Sequence, residues 1–233
     1  MRHPRKPSKI QKRKYRMSQR SRKLQEKKLQ EIENVDPYRM RLAGFRYTVL
    51  PKVYPGGTDT ALLCDAIDIK KGEDGWDIGT GTGLVALKMK QKGAKYVLAT
   101  DKNPQALRNA KLNSRNLKLK LDVRQADVFG GVKKRFDVIT FNPPFTDRAS
   151  QKLYQIMFWD RGNRATRAFF SGLRRHLKKN GRAFACWSSF GTKHLLGKLA
   201  KANKLKITPL RRKLGSDKLY YDVFKVTPTE TPH

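Results

Sequence analysis

The sequence predicts an α/β fold, a mostly parallel sheet with helices on both faces and a basic arm at its N-terminus. Two observations carry this. From Trp76 onward strand-like apolar runs alternate with helical stretches, as in sheets whose parallel strands are joined by crossover helices. The first crossover also begins with glycines at every second position, Asp77-Ile78-Gly79-Thr80-Gly81-Thr82-Gly83. Such a turn leaves no Cβ in the way of a ligand lying against the main chain at the carboxyl edge of a strand. A chain of 233 residues is long enough for one domain with a full core.

Residues 1–34 are dominated by Lys, Arg, Gln and Ser. They predict a disordered or marginally helical arm, since Leu24, Leu29 and Ile32 give too thin a stripe for a helix stable on its own. Asp36-Pro37 opens the domain, 35–233. Phe45–Leu50 and Val53-Tyr54 are strand-like, Pro55-Gly56-Gly57 is a turn, and Thr58 or Asp59 offers an N-cap to a helix reaching Ile67. Trp76–Ile78, Tyr96–Asp101, Leu121–Asp127, Phe136–Phe141 and Ala183–Trp187 read as strands. Helices are predicted over Leu84–Lys92, over Pro104–Asn113 with proline in its first turn, over Arg164–Lys179 stopped by Asn180-Gly181, and over Lys193–Ala202. Lys206–Leu210 and Tyr220–Val226 close the chain. Their helix-free link suits a hairpin and hence one antiparallel strand.

The charge is the unusual quantity: 53 Lys and Arg against 19 Asp and Glu, a formal net +34. Such an excess attracts polyanions, and nucleic acid or a ribonucleoprotein surface is the predicted partner. The arm then reads as a phosphate-binding segment that raises affinity without reading sequence. Cys64 and Cys186 lie far apart, so neither a disulfide framework nor a zinc site is indicated and a reducing compartment fits. No apolar run approaches the roughly 20 residues of a bilayer span. These features predict a cytoplasmic protein, nuclear or nucleolar in a eukaryote, without membrane or metal partner.

The glycine spacing narrows the ligand. A dinucleotide fingerprint would need glycine where Leu84 stands, and a P-loop would need Gly-Lys-Ser/Thr, which is absent. The remaining pattern, Asp-x-Gly-x-Gly-x-Gly, resembles motif I of the class I S-adenosylmethionine-dependent methyltransferases. Asp101 ends the second strand of the series, where an acidic side chain can accept from both ribose hydroxyls, with a helix cap as its alternative role. Asp127 ends the third strand, and Asn142-Pro143-Pro144-Phe145 follows the fourth. The two prolines stiffen this loop and present carbonyls and the Asn142 amide to the cleft. The Asn142 oxygen and the Pro143 carbonyl can each accept one N–H of a planar amine, and Phe145 offers a stacking face.

Together these residues resemble the methyltransferases that modify exocyclic or amide nitrogens: adenine-N6 and guanine-N2 enzymes and release-factor glutamine enzymes. The resemblance covers about residues 45–226. It implies a Rossmann-like seven-stranded sheet and S-adenosylmethionine as donor. The donor would be held by Asp77, Gly79, Gly81, Gly83, Asp101, Asp127, the Val128 backbone and Asn142, with Asp59 and Thr60 as secondary candidates. Catalysis falls to Asn142, Pro143, Pro144 and Phe145, with Tyr54 or Phe45 as a second pocket wall. Phenylalanine rather than tyrosine after Asn-Pro-Pro, together with the charge, favours RNA, most of all ribosomal RNA or a pre-ribosomal particle, with adenine N6 ahead of guanine N2. A protein glutamine-N5 methyltransferase and a non-catalytic RNA-binding or ribosome-assembly factor are the alternatives. A cytosine-C5 enzyme is disfavoured because Cys186 lies mid-strand.

Overall fold

The computed structural model describes residues 23–189, 191–192 and 194–229. Of the expected arm, residues 1–22 lie outside the described residues, and 23–33 form a helix, α1, packed on the domain. Leu29 and Ile32 are buried with Tyr154, Phe158 and Trp159 in a small core of their own, so the thin stripe is completed by tertiary contact.

A hairpin follows, β1 (Tyr38–Leu42) and β2 (Phe45–Val49). Ala43 and Gly44, at φ 51° and 84°, both take left-handed backbone, which matches the twist of the strands they join. Val53-Tyr54, expected as strand, is irregular instead, because the turn at Pro51-Lys52, with Lys52 at φ 61°, redirects the chain immediately before it. Helix α2 (Thr58–Ala66) begins after Gly57, without a side-chain cap. Neither Thr58 nor Asp59 caps it; Asp59 is turned inward, to the site described below.

The main sheet contains β3 (Asp74–Ile78), β4 (Tyr96–Asp101), β5 (Asp122–Gln125), β6 (Phe136–Phe141), β7 (Leu177–Ser188), β8 (Leu205–Leu214) and β9 (Tyr220–Pro228). Its order is β5-β4-β3-β6-β7-β9-β8, and only β9 runs against its neighbours. Helices α3 (Leu84–Gln91), α4 (Pro104–Asn116), α5 (Arg164–His176) and α6 (Leu195–Ala202) complete the fold. Along β4, Val97 and Ala99 join the core formed with α2 and α3, whereas Leu98 joins the core formed with α5 and α6. Burial on both faces explains why these strands read as continuous apolar runs.

Helix α5 ends at His176, earlier than predicted, because Leu177 is already paired with Phe136 in the sheet. Asn180-Gly181 marks a register shift within β7 instead of a helix stop. A Cβ at Gly181 would come within 2.9 Å of the Phe136 carbonyl oxygen, so glycine is required where the strand bulges. Among the described residues no helix is long and apolar enough to cross a membrane, and no cluster of His, Cys, Asp or Glu is placed to hold a metal ion.

Two fully buried asparagines tie the hairpin to α4. Asn109 and Asn113 of α4 accept from the amides of Leu50 and Thr48 at 2.8 and 2.9 Å, and both donate back to the Thr48 carbonyl. Asn113 also donates to the Thr82 carbonyl at 2.9 Å, which fixes the glycine turn against α4.

Candidate active site

The carboxyl ends of β5, β4, β3 and β6 lie side by side, and the chain leaves β3 at the point where the strand order reverses, the usual ligand crevice of such sheets. A cavity of about 550 Å³ opens there, lined by Gly79, Gly81, Asp101, Asp127, Asn142 and Pro144 among others. Its outer wall is the segment after the Asn-Pro-Pro loop, including Tyr154, Met157, Trp159 and Arg164.

Gly79, Gly81 and Gly83 all have left-handed φ, 66°, 54° and 85°. At Gly81 a Cβ would meet nothing nearer than the Tyr54 carbonyl at 3.8 Å, so the turn leaves open space against the main chain. At Gly83 a Cβ would lie 3.1 Å from the Ala110 backbone, where α4 crosses the start of α3. Gly83→Ala is therefore expected to cost about 2–4 kcal/mol, combining left-handed strain and overpacking, and to weaken cofactor binding. A urea unfolding curve checks it; an unchanged midpoint would refute the packing role.

Asp77 is buried beneath this turn, where it accepts from Thr80 Oγ1 and Thr140 Oγ1, each at 2.7 Å. Burial pushes its carboxyl up to about 7, against the pull of the two hydroxyls. Asp101 accepts from the amides of Gly81 and Asn103 at 3.0 and 2.8 Å, so it links the glycine turn to the start of α4. Burial raises its carboxyl too. The cap of α4 is Asn103, which accepts from the Gln105 amide, so Asp101 is not the cap. Asp127 is engaged by Lys102 at 2.9 Å and Arg164 at 3.1 Å. Burial raises its carboxyl, but these two cations outweigh it and hold the group below the usual range. Val128 lies beside it, also in the cavity wall.

On the acceptor side, Asn142 Nδ2 donates to Asp59 Oδ2 at 2.7 Å, and the Tyr54 hydroxyl donates to Asp59 Oδ1 at 2.9 Å. Thr60 Oγ1 stands 3.5 Å from the same nitrogen. A carboxylate can only accept, so Asp59 fixes which end of the Asn142 amide it faces. Asn142 Oδ1 is thereby turned away, buried and without a hydrogen-bond partner. Pro144 lines the large cavity, whereas Pro143 and Phe145 line a smaller cleft of about 40 Å³ on the other side of Asn142. The Phe145 ring packs edge-on against Trp187 at 5.7 Å and leans on Tyr221 at 6.1 Å. Tyr54 lines both spaces. Phe45 lines neither: it sits in the core at the start of β2 and, contrary to expectation, forms no pocket wall. Cys64 and Cys186 are core residues whose thiols burial pushes up, to about 12 for Cys64.

Of the other predicted site residues, Thr60, Asp77, Gly79, Gly81, Asp101, Asp127, Val128, Asn142 and Pro144 line the large cavity, Asp59, Pro143 and Phe145 lie on the small cleft, and Gly83 lines neither. Sequence reasoning missed the two hydroxyls on Asp77, the cations on Asp127 and the whole outer wall. The Tyr154-to-Trp159 stretch carries five large apolar or aromatic side chains in six residues without helical or strand periodicity, and this was the available signal.

The methyltransferase small domain family model matches residues 57–205. The chain belongs to this family. S-adenosylmethionine is its cofactor, and the open glycine turn with Asp101 and Asp127 beside it in the cavity wall fits such a group. The putative protein N5-glutamine methyltransferase of Methanocaldococcus jannaschii is 31% identical over 173 residues, 72% of this chain and 85% of that one. The release factor glutamine methyltransferase of Shewanella oneidensis is 42% identical over 82 residues, but only 34% of this chain and 29% of that enzyme are covered. The fold of this methyltransferase is also that of a T. Thermophilus 16S rRNA N2 methyltransferase in complex with AdoMet and guanosine, at TM-score 0.62 and 22% identity, over 83% of this chain and 50% of that one.

Proposed function

We propose that this methyltransferase acts on an exocyclic amine of an RNA base, in ribosomal RNA or a pre-ribosomal particle, with adenine N6 ahead of guanine N2. The carrying observation is the charge of +34. A polyanionic substrate draws on such an excess, whereas a protein acceptor leaves most of it without a role. Arg161 and Arg164 at the cavity wall place part of that charge beside the site.

When bound, the cofactor supplies an electrophilic methyl group within the glycine-lined crevice. Asp59, itself held by Tyr54, sets Asn142 so that its Oδ1 can accept one N–H of the acceptor, while the Pro143 carbonyl accepts the other. Two hydrogen bonds placed out of the ring plane weaken conjugation of the nitrogen lone pair with the ring and free it for attack. No strong base is needed beforehand, because the proton leaves after transfer. Positioning can supply up to about 7–11 kcal/mol of barrier reduction, and preorganised hydrogen bonding a few more. A base within a helix must first leave its stack to reach this crevice.

A second reading, methylation of a protein glutamine, is favoured by the archaeal relative of 31% identity. A carboxamide presents the same two N–H groups to Asn142 and Pro143. Incubation with labelled S-adenosylmethionine and separated RNA and protein fractions decides between them. Label is expected in RNA; label confined to protein would overturn the RNA reading.

A further inference from the structure

Helix α1 lies outside the matched family region, yet it roofs the acceptor side of the site. Leu24, Gln25 and Lys28 line the small cleft together with Asn142, Pro143 and Phe145. Gln25 is buried, and its Oε1 accepts two hydrogen bonds, from Thr146 Oγ1 at 2.9 Å and Trp159 Nε1 at 3.0 Å. Both donors are themselves buried and belong to the domain proper. Without Gln25 they would be two converging, unsatisfied donors in an aromatic surface of Tyr54, Tyr154 and Phe158.

Cations flank that surface. The Arg148 guanidinium lies 4.0 Å above the Trp159 ring, and Lys152 Nζ lies 5.9 Å from the Tyr154 ring. Both cations are occupied by acidic residues of α1: Arg148 by Glu26 and Lys152 by Glu33, each at 2.5 Å. Aromatic faces, cations for phosphates and a donor pair for a carbonyl or ring nitrogen are the chemistry that binds unpaired bases. The acidic groups of α1 hold both cations, and the Gln25 oxygen holds both donors. The ion pairs are partly exposed and each is worth little, so charge alone adds little to what holds α1 in place.

We propose that the aromatic surface beneath α1, with the Thr146–Trp159 donor pair in it, binds unpaired RNA bases next to the methylated one, and that α1 occupies it through Gln25 until RNA displaces it. This rests on the RNA reading of the site.

Hydrogen exchange of the full chain tests it, with a single-stranded RNA oligonucleotide of mixed sequence, inorganic polyphosphate or a glutamine-containing peptide as probe. RNA is expected to speed exchange over 24–33 by about tenfold or more and to slow it over 153–159, while the other two probes leave both segments unchanged. Protection of α1 in the presence of RNA would overturn the proposal. So would release by polyphosphate as strong as by RNA, which would make it a charge effect alone, and so would release by the peptide only. Gln25→Leu removes the competing acceptor, and its RNA affinity is expected to rise several-fold with cofactor affinity unchanged; weaker RNA binding would show α1 to be part of the RNA site and refute displacement. The two readings fail separately. Methyl label confined to protein overturns the RNA assignment, whereas label in RNA with α1 still protected overturns only the displacement.

Discussion

Asn142→Ala is expected to slow methyl transfer by about 10²–10³-fold in single-turnover measurements while cofactor affinity changes by no more than about threefold. The size follows from what is removed: Asn142 Oδ1, a buried side-chain acceptor in the crevice wall with no partner of its own. An alanine cannot hold the acceptor amine, yet it leaves the glycine turn, Asp77 and Asp101 untouched. Asp59→Asn gives a graded second case. An asparagine there can meet Asn142 with either its oxygen or its nitrogen, so the Asn142 amide is no longer confined to one orientation. Its loss of rate should fall between wild type and Asn142→Ala, again at near-constant cofactor affinity. Equal transfer by Asn142→Ala and the wild type would remove Asn142 from the mechanism, and a parallel loss of cofactor binding would make it a cofactor ligand first.

The donor half of the site was legible because its requirements are local. Three glycines at alternate positions can be read directly, and the structure gives each of them left-handed φ. Asp101 and Asp127 could be located by strand counting alone, since the parallel sheet places the ends of consecutive strands together. What could not be read were partnerships formed across long separations. Asp59 reads as a cap for α2 or, by resemblance, as a secondary site residue, but nothing local names its partner Asn142, 83 residues later, which claims its carboxylate. Nothing beside Asp127 in the chain announces Lys102 and Arg164, which folding brings to it. The same holds for α1, whose apolar stripe is too thin to predict a stable helix and becomes sufficient only against Tyr154, Phe158 and Trp159. Helix α5 failed differently: Asn180-Gly181 is a strong local stop signal, and the pairing of Leu177 with Phe136 overrides it.

The second large effect is one of pH on stability, and it resides in Asp77. Burial raises its carboxyl from the ordinary 3.8 to about 7. Between those values the folded chain holds a proton that the unfolded chain releases, so this group makes stability fall as pH rises through the window and not as it is lowered. The shift of about three pH units corresponds to roughly 4 kcal/mol, present as a cost above about pH 7 and absent below pH 4. Asp77→Asn cannot titrate, so the difference in unfolding free energy between variant and wild type should change by a few kcal/mol from pH 4 to pH 8, in favour of the variant at the upper end. Taking the difference cancels the other carboxylates, whose own titrations are shared by both proteins. Thr140→Val removes one of the two hydroxyls that stabilise the charged form, at 2.7 Å, and should move the midpoint of the wild-type transition to higher pH. Urea unfolding at intervals across this range measures all three proteins; parallel curves for Asp77→Asn and wild type would show that Asp77 is not held protonated in the fold.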